Sequence, residues 1–342
     1  MPQSPGEPTE SIETPTAVSG RLIWPILKWS LCIAVLLFVG KRAYELWNQD
    51  ELQQLDIHVG WLIVAALVYV IGWLPSVWFW WRLMQSLGGT VGFRDAARAY
   101  YCGHLGKYVP GKAIVIVIRS AMVKERGSSA TAAALTAAYE TLLMMGAGLA
   151  VAVGLSPVTG WPRAIAALEL SPLLAVVGIV AAVLLLLPVL SWLLTRVAGF
   201  MMPSELTVAG RPARIATKLV AQGLLAFVAS WAALGLSLGL TLQAVSSAPM
   251  SLADWPIWTG CVSMATAIGF LMIFAPGGVG VREILLIEAL QSQPGIGEKQ
   301  AVAAAILLRL VWLLAEIAAA AALYYIGKRK QSFPAASSET NG

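Results

Sequence analysis

"GKYVPGKAIVIVIRS", residues 106–120, decides how the chain is read. Its opening, Gly106 to Lys112, fits G-x-x-x-x-G-K, the spacing with which a glycine-rich loop wraps nucleotide phosphates. Such a loop needs Ser or Thr after its lysine to hold magnesium, and a buried strand before it. Here Ala113 follows the lysine and "RDAARAYYCGHL", residues 94–105, precedes the loop. The stretch is therefore read as a membrane segment, with no nucleotide partner. Pro110-Gly111 forces a turn, and the apolar run Ala113–Ile118 is interrupted by Arg119, Lys124, Glu125 and Arg126 before it could span a bilayer. A re-entrant segment or an interfacial amphipathic helix fits that pattern.

Composition sets the solvent. Of 342 residues, 58% are hydrophobic and 12% charged, against about 45–50% and roughly 25% in soluble domains. Mean hydropathy is +0.75. The fold class is an all-α polytopic membrane protein. The net charge of +5 comes from basic residues in loops between apolar runs, which points to membrane topology and anionic lipid and away from nucleic acid. Cys32, Cys102 and Cys261 are widely separated and form no metal-ligand spacing with the two histidines, so no metal or other cofactor is expected.

Residues 1–20 are rich in Pro, Ser, Thr and Glu and read as a disordered tail. The membrane domain is expected over 21–327, with a basic, disordered tail over 328–342. Apolar runs near 22–39, 59–81, 130–154, 173–195, 218–242, 256–275 and 301–326 are each long enough to cross a bilayer. Trp73, Trp78, Trp80 and Trp81 ahead of Arg82 read as an interfacial aromatic belt. The loop after the second run carries Arg82, Arg94, Arg98, Lys107, Lys112, Arg119, Lys124 and Arg126, so it and the N-terminus are placed in the cytoplasm. Seven crossings would leave Lys328, Arg329 and Lys330 outside; an eighth crossing hidden in a short apolar segment resolves the conflict.

A second stretch, "FAPGGVGVREILLIEAL", residues 274–290, has the design of the first: Pro276-Gly277-Gly278, then a short apolar run bearing Arg282, Glu283 and Glu288. An alanine-rich span follows each, one carrying Glu140 and the other Arg309. Either the chain is internally duplicated, as transporters with broken helices are, or two alanine-rich spans align by coincidence. A charge at the bilayer centre costs at least about 2.5–3.5 kcal/mol and is seldom left without a partner or a cavity. Glu140 and Arg309 are accordingly expected to share a polar interior and to pair, with Glu316, two turns beyond Arg309, lining the way out. Lys107, Lys112 and Arg119 are expected at the cytoplasmic mouth, attracting a phosphate headgroup. "GLSLG", residues 235–239, and Gly146 with Ala150 predict close helix packing within the chain.

The pair "GKYVPGK…IRSAMVKERG…AAYETLL" and "FAPGGVGVREILL…AVAAAILLRLVWLLAE" resembles the lysylphosphatidylglycerol synthase transmembrane, or flippase-like, family over about residues 20–327. The more specific part is Pro276-Gly277-Gly278 through Arg282-Glu283 to Arg309. In the first half, where the family often has Pro-Gly-Arg and, in the next span, Glu-Arg with a later Asp, this chain has Pro110-Gly111-Lys112 and then Glu140-Thr141 with no matching acid in that span. The resemblance implies translocation, or assistance in translocation, of an anionic phospholipid or polyprenyl-linked lipid in a bacterial inner membrane. The family's aminoacyl transferase is a separate soluble domain, and the chain ends soon after its last span, so no synthase activity is expected. Rival readings are a membrane-embedded polyprenyl-phosphate transferase, which would need a carboxylate cluster such as Glu283 and Glu288 do not form, and a scaffold of the cell envelope. Oligomeric state is left open.

Overall fold

A computed structural model describes residues 56–108, 113–161, 171–201, 207–208, 211–212, 215–246, 249, 251–271 and 280–329. The two tails up to residue 20 and from 330, the run 22–39, and Pro110, Gly111, Lys112, Pro276, Gly277 and Gly278 lie outside these residues. The described chain is helical: α1 (Val59–Gly72), α2 (Leu74–Ser86), α3 (Phe93–His104), α4 (Ala113–Lys124), α5 (Ala130–Thr159), α6 (Pro172–Met201), α7 (Thr217–Ala244), α8 (Trp255–Leu271), α9 (Val281–Gln291) and α10 (Glu298–Arg329). The 3-10 turn Leu105–Tyr108 extends α3. A two-residue ribbon, Thr207–Val208 against Arg211–Pro212, lies between α6 and α7. The last helix runs to Arg329, past the boundary expected at 327.

Among the described residues, four helices are long and apolar enough to cross a membrane: α1 and α2 taken together as Val59–Ser86, α5, α7, and α10 over Glu298–Tyr325. They coincide with four of the runs read from the sequence. Two further runs are also helical, as α6 and α8. The span Val59–Ser86 is broken at Trp73, where Pro75 in the first turn of α2 withholds a backbone donor. By contrast α4, with 12 residues, and α9, with 11, rise only about 17–18 Å, well short of a hydrocarbon core of roughly 30 Å. Each short helix packs on the helix before it and the long helix after it: α4 on α3 and α5, α9 on α8 and α10.

The core forms around α7, which packs against α1, α2 and α8. In lipid, helices gain little from burying apolar side chains against each other, so small residues and hydrogen bonds hold the seams. Ser237 Oγ donates to the Ala65 carbonyl at 2.9 Å and accepts from Trp312 Nε1 at 3.0 Å, tying α7 to α1 and α10. Ser76 and Ser230 meet at 3.1 Å between α2 and α7. Trp231 Nε1 donates to the Met144 carbonyl at 3.0 Å, and Gly148 clears the space that its indole fills. Apolar side chains on α6, among them Leu173, Leu185 and Phe200, face outward, as a lipid-facing helix requires.

The aromatic belt expected at residues 73–81 needs correcting. Trp73 and Trp80 are buried, with Tyr100 of α3 at 6.2 and 6.0 Å between ring centroids. Amphipathic helix α3 folds over that surface, so these rings become core. The G-x-x-x-G stretch does pack within the chain: a methyl on Gly235 would lie 2.1 Å from Thr259 Oγ1, and one on Gly239 2.0 Å from the Trp258 ring, both on α8. Gly146 faces open space, whereas Gly148 of the same helix is close-packed. Gly239→Ala is therefore expected to lower stability by about 1–3 kcal/mol through overpacking, whereas Gly146→Ala gains about 0.5–1 kcal/mol of helix propensity. Thermal unfolding of both variants in one detergent checks the contrast.

Candidate functional site

The opening glycine of the phosphate-loop-like pattern has a packing role. A methyl on Gly106 would come within 2.8 Å of the Val115 backbone nitrogen, and one on Gly103 within 2.6 Å of Arg119 Cγ. These two glycines let the end of α3 and its 3-10 turn close against α4, and the Arg119 side chain crosses the notch at Gly103. The segment ahead of the pattern is helix, where a phosphate loop requires a strand.

Arg119 is thereby carried to α5. Its Nη1 lies 2.8 Å from Glu140 Oε2, and both side chains are 2% exposed. Tyr100 OH donates to the other Glu140 oxygen at 2.8 Å, while the Arg119 guanidinium sits 3.7 Å from the Tyr100 ring centroid. The carboxylate is thus held by one cation and one hydroxyl, the condition under which a buried charge is tolerated.

The second short helix forms the opposite wall. Gly280 adopts φ +87°, favourable only for glycine, and turns the chain into α9. Glu283 Oε2 accepts from the Gly280 backbone nitrogen at 2.6 Å, capping the helix, and Oε1 lies 3.6 Å from Arg309 Nε. On α10, Arg309, Trp312 and Glu316 follow i, i+3, i+7 spacing and share a face. Trp312 stacks on Tyr69 of α1 with centroids 4.5 Å apart, and the Arg282 guanidinium lies 4.4 Å from its ring centroid. Glu316 Oε1 accepts from Tyr69 OH and Lys107 Nζ, with His104 Nε2 3.9 Å away. Lys107 and Arg309 both stand 5.2 Å from the centre of the Tyr108 ring.

Tyr69, Tyr100, His104 and Trp312 border one cavity of about 390 Å³, within the range of small-molecule sites. Lys107, Arg119, Arg282 and Arg309 line it together with Glu140, and Val115, Ile116, Leu142, Met145, Leu234 and Phe270 supply apolar wall. Glu316 stands behind the lining, reached through Lys107 and Tyr69. The hollow can therefore take a molecule that is anionic at one part and apolar at another.

A comparison with known protein families matches residues 18–320 to the family described as the lysylphosphatidylglycerol synthase TM region. The chain belongs to that family. No curated protein matches it. The match covers most of the chain and is to the membrane part of the family, so this lysylphosphatidylglycerol synthase TM-region protein is an integral, multi-pass membrane protein of a lipid-related family.

Within that membrane region, the pairing expected between Glu140 and Arg309 is corrected. Both border the cavity, but Glu140 is taken by Arg119 and Tyr100, and Arg309 faces Glu283 and Tyr108. Each acid is met by a base on the neighbouring short or long helix, because α4 and α9 fold back on their own spans. Arg119, expected at an open mouth, is buried in its ion pair, and Lys107 is bound to Glu316. Arg282 borders the cavity, and Glu283 reaches its rim through Arg309. Tyr69, Tyr100, His104 and Trp312 were not singled out from the sequence; their i, i+4 spacings, 69 with 73 and 100 with 104, were the available signal.

Proposed function

We propose that this protein carries, or helps to carry, one anionic lipid between leaflets of a bacterial inner membrane, with the headgroup in the cationic hollow and the chains along its apolar wall. The observation that carries this reading is the joining of four basic side chains and a hydrocarbon-like wall in a single cavity between the two short helices. Phosphate oxygens accept charge-assisted hydrogen bonds from guanidinium groups, and the apolar wall supplies the surface that acyl or prenyl chains need. In this reading α4 and α9 are re-entrant, α6, α8 and the run at 22–39 add crossings to reach seven or eight, and the N-terminus is cytoplasmic. The two arrangements α3–α4–α5 and α8–α9–α10 form an internal repeat, each with one arginine–glutamate pair joining the short helix to the long one.

The protein acts without covalent chemistry, and movement runs downhill or on an ion gradient. A transferase would need a free carboxylate, whereas Glu283 is engaged by the Gly280 amide and by Arg309. Reconstitution into liposomes holding fluorescent phosphatidylglycerol or polyprenyl phosphate tests the proposal. Faster exchange of label between leaflets than in protein-free liposomes is expected; no acceleration over protein-free liposomes for either lipid would refute it.

A further inference from the structure

We infer that Glu283 sets the charge selectivity of the cavity, trimming a two-arginine site to one net positive charge, so that it takes a singly charged phosphodiester headgroup in preference to a doubly charged phosphomonoester. The inference rests on the lipid-handling reading above and adds the class of headgroup.

The acids and bases of the site account for one another with one base left over. Glu140 takes Arg119, Glu316 takes Lys107, and Glu283 takes Arg309. Arg282 remains. It is 7% exposed, borders the cavity, and among the described residues has no carboxylate oxygen within 4.0 Å of it. Its charge rests instead on the face of Trp312, a contact that orients a guanidinium without neutralising it. Lys107, Arg119, Arg282 and Arg309 thus face Glu140, Glu283 and Glu316, four lysine or arginine side chains against three carboxylates. A buried guanidinium with no carboxylate in contact is costly in a low-dielectric site, and a monoanion entering beside Arg282 would complete the balance.

Glu283 decides whether the site holds one charge or two. Arg309 and Trp312 are three residues apart on α10, and Arg282 lies over that same Trp312, so the two guanidiniums flank one patch of helix surface. Without Glu283 they would form a paired-arginine clamp suited to a dianion. With it, a second negative charge on the ligand must compete with a carboxylate that its own helix cap, the 2.6 Å bond from the Gly280 nitrogen, holds in place. Like charges in such a site repel, and the preference is written into the fold.

The test uses the full chain in detergent at pH 7, above the second phosphate ionisation at about 6 and below the about 8 to which burial lowers Lys107. Binding of short-chain phosphatidylglycerol, phosphatidic acid and phosphatidylcholine is measured by calorimetry. The native protein is expected to bind phosphatidylglycerol about tenfold more tightly than phosphatidic acid or phosphatidylcholine. Glu283→Gln, whose amide oxygen can still accept from Gly280, is expected to favour phosphatidic acid. Arg282→Gln is expected to lose binding of both anionic lipids while unfolding within a few degrees of the native protein. Equal or tighter binding of phosphatidic acid to the native protein, or an unchanged order in Glu283→Gln, would overturn the inference while leaving lipid handling intact. Failure of all three lipids to bind would overturn the lipid-handling reading itself.

Discussion

Replacing Arg119 with alanine is expected to destabilise the protein by about 3–5 kcal/mol, the usual cost of stranding one member of a buried ion pair. Glu140 would keep only the Tyr100 hydroxyl, in a site where both charged side chains are 2% exposed. Against a total stability of about 5–15 kcal/mol for folded proteins, that loss decides whether the chain stays folded on heating. A double-mutant cycle identifies the partner. Arg119→Ala combined with Glu140→Gln is expected to cost less than the two changes summed, with a coupling of about 0.5–3 kcal/mol. The same cycle between Glu140→Gln and Arg309→Ala is expected to give a smaller coupling, because each group has its own partner. Unfolding midpoints in one detergent measure both. Additive effects for Arg119 and Glu140 would mean that their pairing contributes nothing.

Trp312→Ala is the second large effect. The indole is 2% exposed, stacks on Tyr69, donates to Ser237 and carries Arg282 on its ring. Removing so large a buried ring costs about 3–5 kcal/mol in cavity and transfer terms, and it leaves Arg282 without its aromatic support. Trp312→Phe separates the two roles. It keeps a ring for Tyr69 and Arg282 but loses the hydrogen bond to Ser237, for which the net cost is about 0.5–1.5 kcal/mol. The alanine variant is expected to lose both stability and anionic-lipid binding, the phenylalanine variant mainly some stability. Equal loss of lipid binding in the two would show that the ring itself is not what holds Arg282.

The crossings were legible because hydropathy over about 20 residues is a property of composition that no distant contact overrides. Four of the expected runs reappear as α1–α2, α5, α7 and α10. The two short helices were legible too, since Arg119 and the Arg282-Glu283 pair interrupt runs too short to span. Partner choice was not. Glu140 and Arg309 stand at similar places in two alanine-rich spans, which makes them look like partners, but whether α4 lies across α5 depends on Gly103 and Gly106 clearing room for its backbone. Hydropathy carries no trace of that packing. The aromatic lining was missed for a related reason. A tryptophan at a span end scores the same whether it faces headgroups or, as Trp73 and Trp80 do, an overlying helix.

The most direct test of the central claim, that an anionic headgroup enters the hollow between the two short helices, is photocrosslinking in native-like membranes. A phosphatidylglycerol bearing a diazirine on its headgroup would be incorporated with the full-length protein, irradiated, and the adducts mapped by mass spectrometry. Adducts are expected on residues bordering the cavity, such as Met145, Thr266 and Trp312, and to fall when Arg282 is replaced by glutamine. Adducts confined to the outward faces of the bundle, at residues such as Leu173, Leu185 and Phe200, would contradict it.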